Sequence, residues 1–322
     1  MTSGRRVPGW LLAAACTLGG LALFAWVVRR TGSADILHGI ERVGWGLAAI
    51  LALAGARLAV RAAAWRLCMA PATTLTYGHA FSAFLAGDTA GTITPFGMLA
   101  SEPTKVFLTR HHLATRDSIA SLAVENLLYS ISVLAMIAVG FAVMLATVPL
   151  SEAWRWSIAG ALVSLAVAVP VAWRLMLGTW DERRGARAPW RQRMATVRLV
   201  VVGLAAEQPG RLLRAFGFDA VFHLLAVVEV FLTLRWLLGE GGLRPTLAQA
   251  VVFESLNRVI IVVFKFVPFR IGVDEALTGA LAPILSLNPA AGVSLAVVRK
   301  VRSLFWAGVG LIVISLHPTR RT

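Results

Sequence analysis

Charge is what this chain has little of. Asp, Glu, Lys and Arg make up 15% of its residues and hydrophobic types 58%. A soluble globular domain carries roughly 25% charge, so an ordinary soluble fold is excluded. Acidic residues are the scarcer sign, 16 against 31 Lys and Arg. Cysteine is nearly missing. Cys16 and Cys68 sit in or beside apolar segments without metal-site spacing, and they say nothing of redox compartment. HExxH, a P-loop, an Asp-rich metal motif of the alcohol-phosphotransferase kind and a histidine-bearing phosphatase triad are also missing. With no clustered nucleophile and base, the expectation is a protein without covalent chemistry, metal or cofactor.

What the chain does have is long apolar runs. Gly9–Val28, Leu47–Val60, Ile119–Val148, Trp156–Val171, Val221–Leu238 and Gly292–Leu316 are each mostly apolar, and about 20 such residues cross a bilayer as a helix. These point to an all-α polytopic membrane protein of about six spans, one membrane domain over residues 1–322. The formal charge of +15 would indicate nucleic acid in a soluble domain. Here the basic residues flank apolar segments and no base-stacking motif is present, so anionic lipid is the expected partner and nucleic acid is not.

Basic residues also orient the chain, because short cytoplasmic loops are enriched in them. The segment 178–198 carries Arg183, Arg184, Arg187, Arg191, Arg193 and Arg198, and is placed in the cytoplasm. Arg5 and Arg6 ahead of a retained first helix, and Arg320 and Arg321 at the other end, place both termini there too. Arg29 and Arg30 dissent.

Two stretches break the apolar pattern, ITPFGMLASE (93–102) and FVPFRIGVDE (266–275). Pro95, Phe96, Glu102 and Ser121-Leu-Ala-Val recur as Pro268, Phe269, Glu275 and Ser294-Leu-Ala-Val, at a constant offset of 173 residues. A shared offset marks an internal repeat, one copy over about 9–147 and the other over about 156–316. Proline and glycine interrupt a helix, so Pro95, Gly97, Pro268 and Gly272 are read as the tips of two re-entrant hairpins, about 79–112 and 249–287. Three spans lie between the tips, which makes the repeats inverted and the hairpins opposed. Two broken segments at matched places are the pattern of a transporter's central site. A Pro-kinked spanning helix is the plainer alternative.

Ionisable side chains at membrane depth cost about 2.5–3.5 kcal/mol on insertion scales and are functional candidates for that reason. In the first repeat these are Asp88, Glu102, Lys105 and Glu125, with Asn126 beside it; in the second, Glu254, Arg258, Lys265, Arg270, Asp274, Glu275, Arg299, Lys300 and Arg302. Glu254 and Arg258 are four apart and can pair on one helix face. Lys265, seven beyond Arg258, needs a partner across the bundle, for which Glu125 is the candidate, or a bound anion. Lys300 can snorkel to the surface. Ser101 reads as an N-cap with Glu102 on the helix dipole and Pro103 in the first turn, and Asp274-Glu275 plays the same part in the second hairpin. Capping and ion binding both remain open for these carboxylates. His79 and His223 read as interface or packing residues, and His111 and His112 as rim residues.

The motifs GDTAGTITPFGMLASEPTK, SLAVEN, FVPFRIGVDEA and VVRKVRS resemble the transmembrane region of lysylphosphatidylglycerol synthase, a group of flippase-like membrane proteins. The resemblance covers nearly the whole chain. It implies a two-repeat helical domain of the bacterial inner membrane that moves a lipid or lipid-linked molecule between leaflets, and gives no ground for lysyl transfer. Arg270 and Asp274 depart from the glycine-rich turn that many relatives carry. Under this reading Lys265, Arg258, Arg270, Arg299 and Lys105 bind an anionic headgroup. Glu102, Glu125, Asn126, Asp274 and Glu275 orient these cations or carry coupling charge. A membrane enzyme of envelope lipid or glycolipid synthesis, or an accessory subunit with a partner enzyme of envelope biogenesis, is the alternative.

Overall fold

The computed structural model describes residues 25–26, 29, 33–69, 73–94, 97–177, 203, 208–239, 244–265 and 267–316. These are helical, without a strand among them. In chain order the helices are α1 (Ser33–Val43), α2 (Gly46–Leu67), α3 (Tyr77–Ile93), α4 (Met98–Thr109), α5 (Thr115–Thr147) and α6 (Glu152–Leu177), then α7 (Pro209–Leu238), α8 (Leu247–Val263), α9 (Val273–Ile284) and α10 (Pro289–Leu316). A 3-10 turn, Pro268–Arg270, precedes α9. Most of the expected span Gly9–Val28, the basic segment 178–198, the terminal arginines, Pro95 and Phe96 lie outside the described residues.

Helix is the structure that apolar surroundings impose, because every backbone N–H and C=O must find its partner within the segment. Among the described residues, α2, α5 and α7 are long and apolar enough to cross a membrane. They account for three of the expected spans. The side chains are arranged inside out by the standards of a soluble protein. On α7, Leu213, Phe218, Val221, Leu224 and Val228 are exposed while Asp219, His223, Glu229 and Thr233 are buried. Apolar side chains turned outward and charges turned inward are stable when lipid is the solvent.

Contacts divide the chain into two compact units. The first draws on described residues of Met1–Gly55, Leu85–Thr104 and Ala226–Thr322, the second on those of Ala56–Phe84 and Lys105–Leu225. Each takes segments from both expected repeats, so neither unit corresponds to one repeat. In the second unit, Trp65, Met69, Leu75, Phe84, Leu113 and Leu122 form the apolar core, and α5 packs against α6. In the first, α9 and α10 pack closely, α1 lies against α10, and Ile40 covers Val293.

Two helix pairs fold back on themselves, α3 with α4 and α8 with α9. The second hairpin starts at a capping box: Thr246 Oγ1 accepts the Gln249 amide at 3.2 Å, and Thr246 N–H donates to Gln249 Oε1 at 2.8 Å. Gln249 Nε2 then donates to Leu285 O at 2.8 Å, tying the start of α8 to the end of α9. In the first hairpin, Thr74 Oγ1 donates to His112 O at 3.1 Å and the His79 and His112 rings lie 4.7 Å apart, so the ends of α3 and α4 are likewise neighbours. At its tip Gly97 lies against the Gly91 carbonyl so closely that a Cβ there would collide with backbone. Each hairpin pairs a helix of 17 residues with one of 12. At 1.5 Å per residue neither arm spans a hydrocarbon core of about 30 Å.

The first hairpin departs from the expected capping. The helix α4 begins at Met98, with Ala100 and Ser101 amides both donating to Gly97 O, so Ser101 is not its cap and Pro103 lies inside the helix. The close approach of Gly91 and Gly97 lets the helix restart earlier than the SEPT motif indicates.

The α9–α10 contact rests on Gly292, where a Cβ would meet the Thr278 carbonyl oxygen. A carbonyl cannot rotate out of the way, so the two helices would have to part. Gly292→Ala is expected to lower stability by about 1–3 kcal/mol, read as a lower midpoint of thermal unfolding in detergent. An unchanged midpoint would show the contact to be looser than described.

Candidate functional site

The charged residues of the second hairpin, Lys265 apart, gather in the first unit around α10. Arg299, Lys300 and Arg302 stand in mid-helix, and because successive residues point about 100° apart they reach three different neighbours. Arg299 Nη2 lies 3.5 Å from Glu254 Oε2 on α8. Lys300 Nζ meets Asp274 Oδ2 at 3.2 Å and Glu275 Oε1 at 3.0 Å on α9. Arg302 pairs with Glu229 on α7. Glu254 also holds Arg258, whose Nε donates to Oε1 at 2.8 Å, and accepts from Asn257 Nδ2 at 3.2 Å. Arg299 lies within electrostatic reach of Glu229, Asp274 and Arg302 as well.

The hairpin tip in this cluster is strained. Phe269 and Arg270 adopt φ of 51° and 48°, beside Gly272 at 81°. Left-handed backbone costs a non-glycine residue of order 1–3 kcal/mol and persists where neighbours over-determine it. Here Lys300 Nζ donates to Arg270 O at 3.3 Å, the Glu275 carboxylate accepts the Gly272 N–H at 2.8 Å, and Arg270 Nε approaches Asp274 Oδ1 at 3.4 Å. Glu275 is thus the third residue of α9 and caps it. The Gly272 amide is taken by this cap.

One carboxylate in this region serves two guanidiniums. Among the described ion pairs, Arg258 and Arg299 share Glu254, Arg270 and Lys300 meet Asp274 and Glu275, and Arg302 meets Glu229. All four carboxylates are buried, as are Arg258 and Arg299. Arg299 Nη2 makes no hydrogen bond among the described residues. A buried guanidinium that shares its carboxylate and keeps a donor without a hydrogen bond can hold an anion such as a phosphate.

A second charged group lies in the other unit. Arg61 Nε donates to Glu125 Oε1 at 2.8 Å, and its Nη2 donates to the same oxygen. Asp219 Oδ1 is 3.8 Å from Arg61 Nε. The guanidinium lies over the Tyr129 ring, 3.4 Å from its centroid, with Phe84 and Phe222 at 5.4 Å and 5.6 Å.

Residues 10–310 match the family described as the lysylphosphatidylglycerol synthase TM region. The chain belongs to that family. No curated protein and no solved structure matches it. The match covers the helical membrane region, and a membrane location follows from it and from the apolar helices.

Within this synthase-type membrane region the expected site residues fall into several places. Arg258, Arg270, Arg299, Asp274 and Glu275 come together in the first unit. Pro268 opens the 3-10 turn and Gly272 precedes α9. Gly97 shapes the first tip, where Pro95 lies outside the described residues. Glu102 is half-buried on α4, and Asp88 is exposed. Lys105 is buried in the second unit with its Nζ 4.1 Å from the Phe84 ring centroid, and Asn126 is half-buried beside Glu125.

Two expectations change. Lys265 is exposed, and Glu125, its expected partner, holds Arg61 instead. The helix α8 ends at Val263, so the seven-residue spacing from Arg258 no longer keeps Lys265 on the same face. Lys300 does not snorkel to the surface but binds Asp274 and Glu275. Sequence reasoning also passed over Arg57, Arg61, Asp219 and Glu229, all buried. The signal was there: each is an ionisable residue in or next to an apolar run, the criterion already applied to the hairpins.

Proposed function

We propose that this protein is a lipid translocase, passing an anionic lipid or lipid-linked molecule between the leaflets of the bacterial inner membrane without covalent chemistry. The observation that carries the reading is Arg299, buried, sharing Glu254 with Arg258 and with an Nη2 that makes no hydrogen bond among the described residues. Such a site suits one phosphate-bearing headgroup, while an acyl or prenyl tail stays against the apolar outer surfaces of the helices.

The two hairpins support an inverted repeat. They share arm lengths and the 173-residue offset, and Gly97 and Gly272 at their tips fall in the same compact unit. Opposed broken hairpins enclosing a polar site serve alternating access. In this reading Arg299 and Arg258 hold the headgroup, Arg270 and Lys300 guide it at the strained tip, and Asp274, Glu275 and Glu254 keep the cations in place. Lys265, exposed beyond α8, attracts the headgroup at the surface.

Purified protein in liposomes containing a fluorescent anionic phospholipid tests this. Protein-dependent leaflet exchange, faster for anionic than for zwitterionic lipid, is the expected result. No exchange across a broad panel of anionic lipids, polyprenyl phosphates included, would overturn the reading. Mass spectrometry of co-purified lipid then identifies the headgroup.

A further inference from the structure

Arg61, Glu125 and Asp219 form a group that the lipid site does not use. Arg61 comes from α2, Glu125 from α5 and Asp219 from α7, and all three are buried. Arg61 is committed to Glu125 by two hydrogen bonds. Asp219 has only the 3.8 Å approach to Arg61 Nε, and neither of its oxygens makes a hydrogen bond among the described residues. Two carboxylates thus face one guanidinium. Burial without a hydrogen bond disfavours the charged form of a carboxylate.

The surrounding groups do not supply the missing charge. The charged side chains that act on Asp219 are Arg61 and Glu125. Arg57, one turn before Arg61 on α2, stacks its guanidinium on Phe222 at 4.6 Å. Lys105 on α4 lies over Phe84. On α7 itself, His223 follows one turn later with its Nε2 3.1 Å from Ser132 Oγ. Cys68 on α2 is buried and within electrostatic reach of both carboxylates. A metal ion does not fit well either. The guanidinium repels it, the nearby walls are the Tyr129, Phe84 and Phe222 rings, and no group of three or more His, Cys, Asp or Glu that could hold a metal occurs among the described residues.

We infer that Asp219 is a proton-binding site, whose proton decides whether Arg61 serves Glu125 alone or both carboxylates. With the proton on Asp219, one guanidinium balances one carboxylate. When the proton leaves to water, the new negative charge draws Arg61 from α5 toward α7, so the contact of α2 with these helices changes with protonation. This proton site is independent of any transported lipid. Where that reading holds, leaflet exchange gains a dependence on pH that an anionic headgroup alone does not give.

Infrared difference spectroscopy of the protein in lipid nanodiscs, titrated from mildly acidic to alkaline pH, tests it without any transport readout. The wild type is expected to show the carbonyl band of a protonated carboxyl at neutral pH, lost on alkalinisation and absent in Asp219→Asn. Asparagine mimics the neutral carboxyl in size, so this variant is expected to fold. In Glu125→Gln, Arg61 is freed for Asp219, and the band is expected to vanish at neutral pH although Asp219 is intact. This second variant keeps the test decisive should the first fail to accumulate. A wild type without the band, a band unchanged in Asp219→Asn, or one that survives Glu125→Gln at neutral pH would overturn the proposal. Loss of the band on replacing choline by sodium would do so in favour of a metal cation.

Discussion

Glu254→Gln is expected to be among the most damaging single substitutions in the molecule. Glu254 is the shared carboxylate of Arg258 and Arg299 and accepts from Asn257. Glutamine fills the same space and still accepts a hydrogen bond, but it takes away the charge. Two buried guanidiniums then lose the carboxylate they share. Breaking a buried pair by removing one member costs about 3–5 kcal/mol, because the remaining charge cannot reach water. Chemical or thermal unfolding in detergent micelles checks this. Glu41→Gln, at an exposed side chain, is the control and should stay within about 0.5 kcal/mol of wild type. If Glu254→Gln unfolded with the control, the buried cations would have to be satisfied by something other than Glu254.

Arg299→Ala should separate fold from function. Its removal leaves Glu254 bonded to Arg258 and Asn257, so no carboxylate is orphaned. The cluster loses a buried cation whose Nη2 makes no hydrogen bond among the described residues. Truncating one partner of a buried charge pair typically costs 2 kcal/mol or more in binding, about 30-fold in affinity. Exchange of anionic lipid in liposomes is therefore expected to fall by about 30-fold or more, while the unfolding midpoint moves much less than in Glu254→Gln. Arg299→Lys restores the charge without the planar fork and is expected to recover part of the rate. Wild-type exchange in Arg299→Ala would remove this residue from the headgroup site.

The readable parts of the fold were those that local chemistry sets. The runs around α2, α5 and α7 are apolar enough to be recognised as spans. The Pro-Phe stretches mark where helices end, and Glu254 and Arg258 pair because a four-residue spacing places them on one face. Glu275 caps α9 in the manner its position indicates. The start of α4 was not readable, because the approach of Gly91 to Gly97 is a tertiary contact. Lys265 leaves the face of Arg258 because α8 ends before it, and helical spacing does not hold past a helix end. Arg61 and Asp219 could have been noted as buried charges, yet nothing in their separation of more than a hundred residues tells that they meet.

By itself the sequence determined that this chain belongs in a bilayer, where it breaks, and which charges lie too deep to be incidental. Those properties follow from composition and from spacings shorter than two helical turns. The tertiary structure alone decided which carboxylate each cation serves: Lys300 on the tip of the second hairpin, Arg299 on α8, Arg302 on α7 and Arg61 on α5. The reason is geometric. A pair between helices depends on the rotation and separation of both, and in low dielectric a difference of an ångström or two selects the partner.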